Sequence, residues 1–336
     1  MQTLLSSFSS IIPSSFLLYP FLIACVGIGL YFLIKGGDLL CDHCSDLATY
    51  FGIPRVVIGL TVVSIATSAP ELFTSIAAIR SNSNGLILGN IIGSNIANIC
   101  LILGLAAMVK PIKSKGEVPF SQVIVLSVIT LYFCTTLYFP ESGLNIRSAL
   151  SLLVFIGLYL VFLTSRAIKT NIQPSNEDEA IEVKNPTISI IFIFLSTGLL
   201  WLGSDILVFG SKNLATSIGI PEELIGFTLI AIGTSLPELA TSLVLVKKEE
   251  HAMLLGNVIG SNLFNIGLVG GIAGLFGAVT TSVPFPWIDY AFLLLSTLLL
   301  VIFLRKQQIN RNCGIAFLLT YITASLTTWI FNGGIN

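Results

Sequence analysis

Long apolar runs, separated by short polar turns, fill most of the chain. Each run reaches about 20 residues, which is the length that a helix needs to cross the roughly 30 Å hydrocarbon core of a bilayer. Ten runs are predicted to be transmembrane helices, and they lie near residues 16–50, 56–79, 86–108, 119–139, 146–165, 188–214, 223–246, 252–275, 285–304 and 312–331. The pattern therefore predicts an all-α membrane protein with ten transmembrane helices.

One polar stretch, residues 166–186, interrupts this pattern near the middle of the chain. It contains Pro174 and four acidic residues between positions 177 and 182, a composition typical of a solvated connector. We therefore expect a five-helix repeat at residues 1–165, a connector at 166–186 and a second five-helix repeat at 187–336.

The two units share a motif that reads TSAPELFTS at residues 67–75 and TSLPELATS at residues 234–242. Four residues of the first unit recur 167 positions later: Asp38 as Asp205, Pro54 as Pro221, Glu71 as Glu238 and Asn98 as Asn265. One constant lag over about 60 residues indicates two copies of one structural unit. Because each copy has an odd number of spans, the second enters the membrane from the opposite side, and the repeats are predicted to be inverted.

The composition agrees with a membrane protein, since 54% of residues are hydrophobic and only 10% are charged. In soluble domains, about a quarter of all residues are charged. The net charge of −1 gives no surface that could follow a phosphate backbone, so nucleic acid is excluded as a partner. The six cysteines are scattered in apolar runs and are interpreted as core residues, including the pair Cys41 and Cys44.

The distribution of positive charge predicts the orientation. Thirteen of the 16 Lys and Arg residues fall in one set of loops, and only Arg80, Arg147 and Lys212 fall in the other. The first set is expected to be cytoplasmic, because positive residues accumulate in cytoplasmic loops. This places the connector inside and both termini outside. Residues 1–15 have no Lys or Arg and are expected to be a translocated tail, not a cleaved leader.

Polar side chains share one face of the second predicted helix, where Ser64, Thr67, Ser68 and Glu71 follow helical spacing. Ala231, Thr234, Ser235 and Glu238 repeat this arrangement in the seventh. A glutamate at membrane depth costs roughly 2 to 3 kcal/mol and is seldom present without a function.

A proline lies beside each of these glutamates. Pro70 and Pro237 each deprive a carbonyl four residues earlier, of Ala66 and of Gly233, of its helical donor. At membrane depth, a carbonyl freed in this way can ligate a cation.

A second pair of motifs reads GNIIGSNIANI at residues 89–99 and GNVIGSNLFNI at residues 256–266. Their glycines permit close helix approach, and their polar side chains step by four along one face: Asn90, Ser94 and Asn98 in one, Asn257, Ser261 and Asn265 in the other. Such faces are also common in plain helix packing. The equal spacing of 27 residues from Glu71 to Asn98 and from Glu238 to Asn265 favours ligation.

Carboxylate, amide, hydroxyl and carbonyl oxygens are hard ligands that suit calcium or sodium, and no His or Cys accompanies them. Two glutamates supply a charge of −2, which balances one calcium ion.

At these motifs the chain resembles the calcium/cation antiporter superfamily, in particular its sodium/calcium exchanger branch. The resemblance implies a ten-helix inverted-repeat fold in a prokaryotic inner membrane, calcium and sodium as substrates, and neither a cofactor nor an obligate protein partner. It also implies that Glu71 and Glu238 are the central calcium ligands and that Thr67 and Thr234 provide backbone carbonyls. Further sodium or calcium ligands implied by the resemblance are Ser68, Ser235, Ser94, Ser261, Asn98 and Asn265, with the carbonyls of Ser64 and Ala231 lining an outer sodium site.

The chain departs from the family pattern at two positions. Asn265 stands where some members have Asp, which disfavours potassium dependence. Ala66 replaces the usual glycine before Thr-Ser, which is expected to stiffen the first break.

Three other functions remain open at this point. A calcium/proton antiporter would use the same glutamate pair. A passive channel would need no counter-ion. A membrane-embedded enzyme is disfavoured, because the two histidines, His43 and His251, lie near predicted helix ends and form no catalytic set.

Overall fold

The computed structural model describes residues 15–80, 84–138, 144–169, 186–217, 233–276 and 287–331, and nearly all of them are helical. In chain order the helices are α1 Ser15–Phe51, α2 Arg55–Thr67, α3 Ala69–Arg80, α4 (Asn84–Ile96, Ala97–Ile102 and Leu103–Val109), α5 Phe120–Tyr138, α6 Ile146–Lys169, α7 Pro186–Ser217, α8 Leu236–Lys247, α9 His251–Leu275, α10 Trp287–Leu304 and α11 Arg311–Phe331. Two short strands, β1 Ile112–Lys113 and β2 Gln308–Ile309, pair antiparallel.

Seven helices of the described residues are long and apolar enough to cross a membrane, or eight if the bent pair α2 and α3 forms one span. These eight match the predicted spans. The other two predicted spans are 223–246, which is described only from Gly233 onwards, and 312–331, which coincides with α11. The total of ten and the inverted arrangement therefore stay predictions.

Two described helices extend into the ends of the predicted connector, residues 166–186. Helix α6 continues to Lys169, because residues 166–169 include no Pro or Gly, and α7 begins at Pro186. Proline suits the first turn of a helix, where its missing N–H has no helical acceptor. Residues 170–185 lie outside the described part of the chain, so the proposed division into two repeats is still a prediction.

Helices α4 and α9 form the centre of the molecule. Their most apolar windows are 78% and 83% buried, against 22% for α1 and 28% for α7. Helices α1 and α7 pack as an outer pair through glycines: a Cβ added to Gly29 would lie 2.6 Å from the backbone nitrogen of Leu207. Small residues allow this close approach in membranes, where helices gain little from hydrophobic burial against lipid.

The predicted close packing of the GNxxGSN glycines is found in α9, which packs against α2. A Cβ on Gly256 would lie 2.5 Å from the carbonyl oxygen of Val56, and one on Gly260 would lie 2.6 Å from Ser64 Oγ. The repeat lag assigns the matching neighbour of Gly89 and Gly93 to residues 223–231, which lie outside the described residues. Helix α2, with its site residues, is therefore held by its backbone against α9.

A turn after α8 is joined to other helices by ion pairs. Lys248 Nζ lies 2.7 Å from Asp42 Oδ1, Glu249 pairs with Lys110, and Glu250 pairs with Arg55. Strand β1 follows α4 and β2 follows α10, so their pairing brings two further loops together. All of these loops belong to the positively charged set. Their common location at one end supports the grouping, while the side that faces the cytoplasm stays a prediction.

Candidate cation-binding site

In both TSxPEL motifs, the serine lies immediately before or at the start of the helix that carries the glutamate. Helices α2 and α3 meet at Ser68 with a bend of 42°. Ser68 has φ −85° and ψ 6°, and Ser235 at the start of α8 has φ −88° and ψ 7°. These angles lie in the sparsely populated bridge region, where many active-site residues are found. The predicted breaks before Pro70 and Pro237 thus have the same backbone geometry in both copies.

The two glutamates lie in the first turns of the helices that follow these breaks, Glu71 in α3 and Glu238 in α8. Each is 1% exposed. Their partners cross between the halves: Ser68 Oγ donates to Glu238 Oε1 over 2.9 Å, and Ser235 Oγ donates to Glu71 Oε1 over 3.2 Å. The structure therefore brings the two acids into one site.

Several buried oxygens around this pair have no hydrogen-bond partner among the described residues. The set contains Glu71 Oε2, Glu238 Oε2, Asn98 Oδ1, Asn265 Oδ1 and Ser261 Oγ. Buried polar atoms are normally satisfied, so a cluster of unsatisfied ones needs an explanation. Carboxylate, amide and hydroxyl oxygens are hard ligands suited to a cation. Two amide nitrogens, Asn262 Nδ2 and Asn265 Nδ2, are also without a partner among the described residues.

Asn98 and Asn265 lie in π-helical turns, Ala97–Ile102 in α4 and Asn265–Val269 in α9. Such turns often occur at functional sites, because they shift the helical face by one residue. The turn of Asn265 packs against α3, which carries Glu71, and the turn of Asn98 packs against α8, which carries Glu238. Each asparagine is therefore placed beside the helix of the other copy's acid.

The remaining predicted residues are placed as follows. Ser64, Thr67, Ser94 and Ser235 are buried, and Thr234 is half-buried. Ser64 Oγ donates to the Thr61 carbonyl of its own helix, and the Ser64 carbonyl accepts from the Ser68 N–H over 3.0 Å and from Thr67 Oγ1 over 3.5 Å. Ala231 lies outside the described residues.

The sequence did not predict the hydrogen bonds that the asparagine side chains make around this site. Asn90 Nδ2 donates to the Glu71 carbonyl over 2.9 Å and to Ser75 Oγ over 2.8 Å. Thr67 Oγ1 donates to Asn257 Oδ1 over 3.3 Å, and Asn98 Nδ2 donates to Asn262 Oδ1 over 3.2 Å. Asn90 and Asn257 lie on the predicted polar faces, so their helical spacing in the sequence could have indicated that they contact the site.

The Gly233 carbonyl, which was predicted to lack a helical donor, accepts a hydrogen bond in the structure. Ser204 Oγ, on α7, donates to it over 2.6 Å. No motif marks Ser204, and the matching residue of the first repeat is Gly37. This hydrogen bond leaves one lone pair of the carbonyl for any other contact.

The described residues contain no group of three or more His, Cys, Asp or Glu side chains that could hold a metal ion. Cys41 and Cys44 are free and buried, and the neighbouring His43 stacks on Phe192 with ring centroids 4.5 Å apart. The interpretation of the cysteines as core residues is confirmed.

Comparisons with known proteins agree with this architecture. The model of a family described as "Sodium/calcium exchanger protein" matches residues 21–165 and 188–330. The chain is 31% identical over 335 residues to the sodium/calcium exchanger MaX1 of Methanosarcina acetivorans, covering 88% of this chain and 95% of that protein. It is 33% identical over 299 residues to the inner membrane protein YrbG of Escherichia coli K12, covering 87% and 91%. A solved structure of the sodium-calcium exchanger NCX_Mj superposes with a TM-score of 0.79 at 31% identity, covering 91% of this chain and 98% of that one.

Proposed function

Because the chain belongs to the sodium/calcium exchanger family of integral membrane antiporters, we propose that it exchanges calcium for sodium by alternating access. One observation carries the proposal: two buried glutamates, linked by reciprocal serine hydrogen bonds, each retain a carboxylate oxygen with no partner among the described residues. An unbalanced pair of buried carboxylates is strongly unfavourable. A divalent cation between them would remove the repulsion.

The ligand roles follow from this geometry. Glu71 and Glu238 would be the central calcium ligands, with the backbone carbonyls of Thr67 and Thr234 beside them at the helix breaks. The C-terminal end of a helix such as Ser64–Thr67 presents carbonyls and partial negative charge, which favours a cation. The remaining candidates for sodium or calcium coordination are Ser68, Ser235, Ser94, Ser261, Asn98, Asn265, Ser64 and Ala231.

Neutral oxygens favour sodium over protons as the counter-ion. Proton exchange needs only the titratable carboxylates, whereas sodium must replace its water with several hard oxygens. Asn98 Oδ1, Asn265 Oδ1 and Ser261 Oγ are buried and have no hydrogen-bond partner among the described residues, and the turns of both asparagines pack against the helices that carry the acids. The relative MaX1 is named a sodium/calcium exchanger, which agrees with this choice. The calcium/proton antiporter is the second candidate, since it would use the same two glutamates.

The driving ion is tested by calcium uptake into proteoliposomes that contain the purified protein. We expect uptake when vesicles loaded with sodium are diluted into sodium-free medium, and little uptake under a pH gradient of equal size. Membrane potential is clamped in both arms with potassium and valinomycin.

Protein-free liposomes and vesicles treated with a sodium ionophore serve as controls. Uptake that follows the pH gradient and ignores sodium would establish the proton alternative. Uptake with neither gradient, driven by calcium concentration alone, would indicate a channel.

We further propose an inner-membrane location with two inverted repeats, the connector in the cytoplasm and both termini outside. The similar protein YrbG is named an inner membrane protein, which supports the location. A cysteine introduced at Ser175 should react with an impermeant maleimide only from the cytoplasmic side, and one at Asn336 only from outside. The native cysteines are all buried and are first replaced to lower the background. Labelling of both positions from one side would contradict the inverted arrangement.

A further inference from the structure

Ser204 lies outside both repeated motifs but contacts the second helix break. It is 5% exposed, and its hydroxyl donates over 2.6 Å to the Gly233 carbonyl. Pro237, four residues after Gly233, cannot supply the usual helical N–H. A buried carbonyl without a donor is costly at membrane depth. Ser204 therefore supplies the donor that the proline removed.

A second contact from the same helix reaches the same place. A Cβ added to Gly233 would lie 2.8 Å from Val208 Cγ2. Val208 is four residues after Ser204 on α7, so both side chains project from one face of that helix. Helix α7 thus holds Gly233 by a hydrogen bond and by close packing, and this glycine gives the backbone room to approach.

The first repeat does not offer this donor at the corresponding position. The lag of 167 residues maps Ser204 to Gly37, which has no side chain. Gly37 instead packs near α8, where an added Cβ would lie 3.2 Å from Val244 Cγ2 and 3.4 Å from the Ala240 carbonyl oxygen. The contact between α7 and the second break is therefore a feature that distinguishes the two halves.

We propose that Ser204 is a positioning residue for cation exchange, an inference that rests on the proposed function. Its hydroxyl fixes the backbone at Gly233, two residues before Ser235 and five before Glu238. In that position Ser235 reaches Glu71 over 3.2 Å and Glu238 receives the hydrogen bond from Ser68. Without the hydroxyl the break relaxes, and the second half of the site loses its alignment with the first.

The test compares Ser204→Ala with Ser196→Ala. Ser196 lies on the same helix and is also buried, but its hydroxyl donates to the Ile193 carbonyl of that helix over 2.8 Å. We expect Ser204→Ala to raise the half-saturating calcium concentration for sodium-driven uptake about fivefold to tenfold, which corresponds to one lost hydrogen bond. The maximal rate should stay within about twofold, and Ser196→Ala should match the unmodified protein. Ser204→Thr, which keeps the hydroxyl, should restore most of the calcium affinity.

Two measurements in detergent do not depend on transport. The calcium-dependent rise in unfolding temperature should require more calcium in Ser204→Ala, and amide hydrogen exchange over residues 234–239 should become faster. If the protein does not exchange calcium for sodium, the proposed function fails, and amide hydrogen exchange, which needs no calcium, still decides whether Ser204 holds the backbone at Gly233.

Wild-type calcium titration and wild-type hydrogen exchange in Ser204→Ala would overturn the inference. If Ser204→Ala does not fold, Ser204→Cys, which has a similar size and only a weak donor, is measured in its place. A Cys variant that behaves like the unmodified protein would likewise reject the positioning role.

Discussion

Replacing Glu71 or Glu238 with glutamine is expected to abolish calcium exchange while the protein remains folded. Glutamine has the shape of glutamate and keeps the oxygen that accepts the serine hydrogen bond, from Ser235 at Glu71 and from Ser68 at Glu238. Either change removes half of the negative charge that faces a divalent cation. Removing one carboxylate from its buried contact with a cation costs about 3 kcal/mol of binding free energy. Calcium uptake should therefore fall at least about 100-fold.

The measurement is uptake of radioactive calcium into sodium-loaded proteoliposomes, with a size-exclusion profile to establish folding. Glu249→Gln is the matched control, because Glu249 is an exposed acid on the turn after α8 and pairs with Lys110 away from the site. Near-normal uptake by both site variants would rule out the assignment of these glutamates. A loss in Glu249→Gln of the same size would show that the assay reports general damage.

Gly256→Ala is expected to lower the unfolding temperature by about 2 °C or more. The added Cβ would lie 2.5 Å from the Val56 carbonyl oxygen, and a backbone atom cannot rotate away as a side chain can. Overpacking of this kind costs about 1 to 3 kcal/mol, and each kcal/mol shifts the transition by a few degrees in a chain of this size. Because α2 must move away from α9, calcium affinity should fall as well.

Gly157→Ala provides the control for this prediction. Gly157 lies on the exposed side of α6, where an added Cβ meets no atom of the described residues within 4 Å. Alanine is the better helix former, so this variant should be as stable as the unmodified protein or slightly more stable. Equal unfolding temperatures for the two variants, measured by the fluorescence of a thiol-reactive dye, would contradict the close packing of α2 and α9.

Much of the architecture could be predicted from the sequence because hydrophobic length and a repeated motif are local properties. The apolar runs located the helices, and Pro70 and Pro237 located the breaks beside the two acids. The burial of Glu71 and Glu238 followed from their place inside apolar segments.

Other parts of the site depend on packing between distant segments and have no local signal. Ser68 bonds to an acid 170 residues away, and the choice between Glu71 and Glu238 as its partner depends on how the halves meet. The π-helical turns at Asn98 and Asn265 shift a face that sequence spacing treats as regular. Ser204 was missed because a comparison of the repeats aligns it with a glycine.

The serine hydrogen bonds between the two motifs limit which substitutions such a chain can accept during evolution. The serine of each motif donates a hydrogen bond to the glutamate of the other motif. Neither half of the chain therefore contains a complete site by itself. Substitutions at Ser68 and Glu238 should therefore be non-additive, as expected for residues in contact. Two duplicated segments joined in this way cannot diverge independently where they touch. Differences accumulate instead at positions that serve one half alone, as with Ser204 and Gly37.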